Sequence, residues 1–161
     1  TRCGNLDPGV IIYMNESLGI PMADIKRILN KESGMKGLTG ENDLRIIGND
    51  YINGDKNAML ALEIYCYRIK KYIGAYLAAI GEVDALVFTA GVGENSPIVR
   101  EFSTAGLAHL GIAIDQGLNH KKSNSERDIS AADSKIKTLV VPTNEEFEIA
   151  RQSYLIFQEN R

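Results

Sequence analysis

Residues 85–97 read Ala85-Leu86-Val87-Phe88-Thr89-Ala90-Gly91-Val92-Gly93-Glu94-Asn95-Ser96-Pro97, and this stretch decides the fold class. Ala85 to Phe88 is a short, continuous apolar run bounded by Asp84 and Thr89. Such a run suits a strand covered on both faces, as in a parallel sheet. Gly91 to Asn95 reads as a loop. Ser96 follows as a helix N-cap with Pro97 in the first turn, and that helix is expected to reach Gly111.

Downstream the same order recurs. Ile112-Ala113-Ile114 is a candidate short strand. Leu139-Val140-Val141 is a second buried strand, ended by Pro142, and Thr143 opens the last helix. Between them, residues 119–135 are rich in Ser, Asn, Lys and Asp and read as an exposed, mobile loop without a functional role. Strand, loop and helix, repeated, imply parallel pairing through right-handed crossovers. Ligands of open α/β sheets sit at the carboxyl ends of the strands. The two post-strand segments, 91–95 and 142–145, are therefore expected on one edge.

Upstream the periodicity is helical. Asp7-Pro8 opens a first helix that Gly19 ends, and Pro21 opens a second that Gly34 closes. Residues 34–42 hold three glycines and read as loop. Met59, Leu62, Cys66, Ile69, Ile73, Tyr76 and Ile80 recur at steps of three and four, which places a helix over 57–80 with one buried face.

Composition bounds the function classes. The chain has 161 residues, 44% hydrophobic and 24% charged, which excludes a disordered chain, a collagen and a coiled-coil rod. Lys plus Arg total 18 against 21 Asp plus Glu, a net charge of -3. Neither a nucleic-acid nor a membrane partner is expected from that balance. No apolar run lasts the roughly 18 residues of a membrane helix. Cys3 and Cys66 have no short spacing and read as free thiols of a reducing, cytoplasmic setting. The chain opens on Thr1 rather than Met, with no signal peptide after it, and reads as a piece of something longer.

Several residues carry candidate chemistry. Gly91 and Gly93 permit positive φ and let a ligand approach the backbone. The helix N-terminus beyond them suits phosphate, although a plain glycine turn explains the same residues. The stretch is neither a Walker sequence nor a full GxGxxG. Thr143 and Glu146 are spaced as a capping box. Glu145 is left to reach Mg²⁺ directly or through water, or only to favour the helix dipole. Arg2 suits charge on a transferring phosphoryl group and equally a solvated chain end. Asp43 and Arg45 suit a nucleoside, by stacking and hydrogen bonding, or a surface ion pair. Asp7 reads as a helix cap. His109 and His120 read as surface residues.

In order along the chain, the motifs resemble those of the acetate kinase (acetokinase) family. Thr1-Arg2-Cys3-Gly4-Asn5-Leu6-Asp7-Pro8, Asn42-Asp43-Leu44-Arg45, Phe88 to Ser96 and Val141 to Glu146 are each similar to a family motif. The resemblance spans the whole chain. It departs at Cys3, in place of a hydroxyl residue, at Asn5, in place of Asp, and at Ile46, in place of an acidic residue. The resemblance implies an α/β fold: a partial actin-like, ribonuclease H-like domain, mostly helices with a short, mainly parallel sheet, of which this chain's residues supply at most three strands. It implies that residues 1–161 are the C-terminal, nucleotide-binding portion of a two-domain kinase whose N-terminal domain lies outside them. Arg2 would stabilise the transition state. Asp43, Leu44, Arg45, Gly91, Val92, Gly93, Glu94 and Asn95 would bind ATP or ADP, and Glu145 would hold Mg²⁺ or Mn²⁺. The implied reaction is reversible transfer from ATP to acetate, giving acetyl phosphate, in a cytoplasmic homodimer. A propionate or other short-chain acyl kinase is the alternative within that chemistry. A noncatalytic dimerisation or nucleotide-binding module, with helix 57–80 packed between subunits, is the alternative outside it.

Overall fold

A computed structural model describes residues 1–159. The chain forms two compact units, one spanning Thr1–Tyr76 and the other beginning at Leu77.

The first unit is helical. Its elements are α1 (Pro8–Glu16), α2 (Met22–Lys31), α3 (Gly34–Thr39), α4 (Leu44–Ile52) and most of α5 (Lys56–Ile80). Asp7 caps α1 as expected, its carboxylate accepting from the Gly9 amide at 2.7 Å. Two segments read as irregular are helices instead. Gly34 opens α3 rather than closing α2. Asp43 is the N-cap of α4, accepting from the Arg45 amide at 2.9 Å. Both helices are shorter than the window of roughly 11–18 residues that periodicity needs, and α3 has fewer than two turns, which is why pattern missed them.

Helix α5 matches its expected span within one residue, and its expected face is buried in the middle, at Leu62, Cys66 and Ile73, but not at the ends. Ala58, Ala61, Leu62, Cys66 and Ile73 are buried, whereas Met59, Tyr76 and Ile80 are 46%, 60% and 65% exposed. Apolar residues surround this helix, with Leu60, Ile64 and Tyr67 on its other sides. Spacing selected the seam, which Ala58 and Ala61 widen, but not how far along the helix it is covered.

The second unit holds the sheet: β1 (Ala85–Phe88), β2 (Arg127–Asp128) and β3 (Lys137–Val140), in the order β1-β3-β2. β1 and β3 are parallel, with Ala85 opposite Lys137 and Phe88 opposite Val140. β2 runs antiparallel to β3. The expected parallel pair is present, and the sheet is mixed. Phe88, Ile129 and Val140 form its core, with Leu86 and Ile114 packed against them. Each such buried side chain contributes about 1.5–3 kcal/mol. The opposite face is open, and Val87 is 47% exposed. Coverage on both faces, expected from the apolar run, is thus not supplied by these residues.

Around the sheet lie α6 (Ala90–Asn95), α7 (Pro97–Thr104), α8 (Gln116–His120) and α9 (Glu145–Glu159). α7 stops at Thr104, not Gly111, because Gly106 turns the chain at φ 79 and a 3-10 turn follows over Ala108–Leu110. Ile112–Ile114 forms no strand; Ile114 makes one bridge to Ser130.

Segment 119–135 is mostly exposed, as expected, but it contains the short strand β2 and two buried residues. Asn119 and Ile129 are 1% and 0% exposed. Some of its polar residues serve the interior. The Ser130 hydroxyl accepts from the Thr138 amide at 2.7 Å and donates to Asp128 at 2.5 Å. The Ser134 hydroxyl accepts from the Ala113 amide at 3.0 Å. Composition cannot distinguish such side chains from solvated ones.

On the open face, Lys137 Nζ donates to Asp128 at 2.6 Å. With Ser130 it holds the Asp128 carboxyl down from 3.8 to about 2. A carboxyl lowered by folding adds stability above its unfolded value and loses it as pH falls toward the folded one. Asp128→Asn should therefore flatten the fall of unfolding free energy between about pH 4 and about pH 2. Urea titrations of the intact protein across that window check this; an unchanged slope would contradict it.

Candidate functional site: a cleft at the strand ends

Parallel pairing brings the carboxyl ends of β1 and β3 side by side. The ladder continues past both strands: the Val141 amide donates to the Phe88 carbonyl at 2.9 Å, and the Thr89 hydroxyl donates to the Val141 carbonyl at 2.8 Å. The two post-strand segments share one edge, as expected. Between them lies an open cleft of about 340 Å³, lined by Gly91, Thr143, Asn144, Glu145 and Glu146.

Residues 91–95 are not a loop but part of α6. Neither Gly91 nor Gly93 has positive φ; among the described residues Ala90 is the one non-glycine that does, at φ 58. A left-handed alanine costs about 1–2 kcal/mol, so the strained turn sits just before the glycines. The two glycines differ in purpose. A Cβ on Gly93 would lie 3.2 Å from the Phe88 carbonyl carbon, whereas one on Gly91 would meet nothing within 4 Å. Gly93 lets α6 pack on β1, and Gly91 opens onto the cleft. The Asn95 side chain donates to the Gly91 carbonyl at 2.9 Å and closes the turn. Val92 is half-buried within it.

The α9 terminus also differs from its pattern. Asn144 is the capping side chain, accepting from the Phe147 amide at 3.1 Å. The Thr143 hydroxyl donates instead to Glu94 at 3.0 Å, so no Thr143–Glu146 capping box forms. Glu145, Glu146 and Glu148 occupy the first turn of α9, where the helix dipole favours negative charge. Glu145 and Glu146 both line the cleft, and neither enters an ion pair among the described residues.

The Glu94 carboxylate accepts from both the Thr143 amide, at 2.8 Å, and its hydroxyl. These donors, the amide foremost, hold its carboxyl below the usual range. Beneath α6 lies Arg100, 1% exposed. Its guanidinium donates to the carbonyls of Gly93 at 2.7 Å and Glu94 at 2.9 Å. It also meets both oxygens of Asn119 at 2.7 Å. Burial, with neighbouring Arg127, lowers Arg100 to about 10, so it stays cationic at neutral pH. Sequence reasoning passed over Arg100 and Asn119. Their only signal was a polar residue on the inner face of α7 and another within α8.

Arg2, Asp43, Leu44 and Arg45 belong to the first unit. The Arg2 segment is pinned by its backbone: Ser33 N–H donates to the Thr1 carbonyl and Cys3 N–H to the Leu29 carbonyl, each at 2.9 Å. Gly34, at φ 60, makes room for the Arg2 carbonyl, which a Cβ would approach to 2.6 Å. The Arg2 side chain itself is exposed. Asn5 donates to the Tyr72 hydroxyl at 3.2 Å. Asp43 and Arg45 form the surface ion pair at 2.5 Å. The Arg45 side chain is 91% exposed, and together with its amide it lowers the Asp43 carboxyl to about 2. Leu44 is half-buried at the start of α4.

A model of the acetokinase family matches residues 1–151. The chain belongs to the acetokinase family. It is 52% identical, over 98% of its length, to the acetate kinase of Pseudothermotoga lettingae, covering 39% of that protein. The crystal structure of Porphyromonas gingivalis acetate kinase superposes with a TM-score of 0.86 at 44% identity, over 98% of this chain and 40% of that one. A propionate kinase from Francisella tularensis superposes at 0.82 and 40% identity, over 91% and 37% respectively. The chain thus spans about two-fifths of the proteins it matches. The fold is a partial actin-like domain, mostly helical with a small mixed sheet.

The glycines give a direct check of this packing. Gly93→Ala should cost about 1–3 kcal/mol, as overpacking against β1 does, and lower the melting temperature. Gly91→Ala should leave the melting temperature within the range of a neutral change. Equal effects would show that α6 does not rest on β1 through Gly93.

Proposed function

We propose that this chain is the C-terminal, nucleotide-side portion of a two-domain acetate kinase, whose N-terminal domain lies in the rest of the polypeptide. The intact enzyme transfers the γ-phosphoryl of ATP in line to an acetate oxygen, reversibly, giving acetyl phosphate and ADP. The observation that carries this reading is the family match over 151 residues, joined to a strand-end cleft containing both Gly91 and Glu145.

In this reading, Gly91, Val92, Gly93 and Asn95 place backbone close to the nucleotide. Asp43, Leu44 and Arg45 contact adenosine. Arg2 stabilises charge on the equatorial phosphoryl oxygens. Such catalysis is mostly positioning and charge stabilisation, since little covalent chemistry falls to the protein.

The donor set suits a hard cation. Glu145 and Glu146 offer carboxylate oxygens, the preferred ligands of Mg²⁺, and Mn²⁺ shares that preference. Among the described residues no group of three or more His, Cys, Asp or Glu could hold a metal. One or two ligands from the chain, with phosphate and water supplying the rest, is the usual arrangement for Mg²⁺ at a nucleotide. When bound, the ion neutralises phosphate charge.

The family resemblance also supports a cytoplasmic homodimer. Apolar side chains exposed on α5 (Leu60, Ile64, Tyr67) and α9 (Phe147, Ile149) fit a chain completed by further protein. A short-chain acyl kinase other than an acetate kinase is the second reading. It is favoured by the similar superposition on a propionate kinase, and comparing acetate with propionate as substrates of the intact protein decides it. The 161 residues alone are expected to be inactive, because most of the acetate pocket lies outside them.

In the intact protein, Arg2→Ala should lower kcat by roughly 10²–10³-fold while the ATP KM moves far less. A change confined to KM would remove the transition-state role. Glu145→Ala should raise the Mg²⁺ concentration needed for half-maximal activity. An unchanged Mg²⁺ requirement with a lower melting temperature would make Glu145 a helix-dipole residue only. Calorimetric titration with ADP and Mg²⁺ tests the site as a whole. Absence of heat at millimolar nucleotide would leave the noncatalytic assembly module.

A further inference from the structure

Glu94 lies within the stretch whose pattern suggests nucleotide contact, yet its carboxylate is turned to protein. One oxygen, Oε1, accepts two hydrogen bonds from Thr143, a residue 49 positions away. A carboxylate facing a polyphosphate without compensation would repel it. Here the negative charge is directed instead at an amide and a hydroxyl of the neighbouring segment.

The surroundings fix both ends of this link. At the Glu94 end, Arg100 holds the carbonyls of Gly93 and Glu94, and Asn119 holds Arg100. The Asn119 amide group also donates to the Pro97 carbonyl at 3.1 Å, spanning the junction of α6 and α7. At the Thr143 end, the linked residue immediately precedes the cap of α9. Of the five residues lining the cleft, Thr143, Asn144, Glu145 and Glu146 come from this segment and Gly91 comes from α6. The width of the cleft is therefore the separation of the two segments that Glu94 joins.

We propose that Glu94 is a positioning residue that ties α6 to the Thr143 segment, and so sets the distance from Gly91 to Glu145, without itself touching nucleotide or metal. This rests on the reading of the cleft as the nucleotide site. The lowered carboxyl of Glu94 agrees with it, because the two donors act on the ionised form.

The test uses the intact enzyme. Glu94→Ala should raise both the ATP KM and the Mg²⁺ concentration for half-maximal activity by roughly tenfold or more, the scale of lost hydrogen bonds to a charged group. Glu94→Gln keeps an acceptor oxygen without the charge and should recover most of that loss. Thr143→Val should move the same two parameters in the same direction, and Thr143→Ser should restore them. Glu94→Ala should add less in the Thr143→Val background than alone. Amide exchange at Thr143 should quicken in Glu94→Ala whether or not the enzyme turns over. If Glu94→Gln is as defective as Glu94→Ala while Thr143→Val is silent, Glu94 acts through its charge on the ligand and the proposal fails. Full additivity, or unchanged exchange at Thr143, also overturns it. Should Glu94→Ala not fold, the Thr143→Val and Thr143→Ser pair carries the comparison. Wild-type protein that binds no Mg·ADP would sink the functional reading instead, and exchange at Thr143 would still decide for or against the tie.

Discussion

A guanidinium withdrawn from water must find acceptors for its donors, and Arg100 finds them in the backbone of the candidate site. Among the described residues it has no carboxylate partner. Four hydrogen bonds, to two carbonyls of α6 and both oxygens of Asn119, take the place of solvent. Leaving such a buried charge without partners is strongly destabilising, so its acceptors are held as firmly as it is. Two of those acceptors, the carbonyls of Gly93 and Glu94, would otherwise be unmet at the end of a six-residue helix. The same contact thus satisfies a buried cation, ends α6 and fixes the backbone from which Glu94 reaches Thr143.

Some polar residues of the largely exposed segment 119–135 serve the fold in the same way. Asn119 is needed beneath α6, Ser130 bridges β2 to β3, and Ser134 satisfies the backbone at Ala113. In sequence these residues look like a solvated loop, because hydrogen-bonding side chains have the same composition whether they face water or unmet backbone. Three glycines at 34–40 misled in the same way, reading as loop where α3 forms.

Much of the candidate site was legible. The run 85–88, the cap at Ser96 and the break at Pro142 all stand where the residues placed them. Family motifs named Arg2, Asp43, Arg45, Gly91 and Glu145 from side-chain identity and spacing. Less legible was how each is held. Asp43 doubles as a helix cap, Thr143 serves Glu94 rather than Glu146, and Gly93 makes room for Phe88. Each depends on an atom from a segment distant in sequence, or on a backbone angle that residue type leaves open.

By itself the sequence determined the local order of elements, the parallel pairing of the two apolar runs and membership of a kinase family. These follow from periodicity, capping chemistry and motif identity, all of which are short-range properties. Only the tertiary structure decided how much of the apolar face of α5 is covered, where the strained turn before α6 falls and which donors claim the Glu94 carboxylate. The reason is physical. The apolar face of α5 runs on to Ile80, but neighbouring segments decide where it is covered, and Tyr76 and Ile80 stay exposed. A carboxylate takes whichever unmet donors folding brings within reach, and in this chain those belong to a threonine on the next strand's exit.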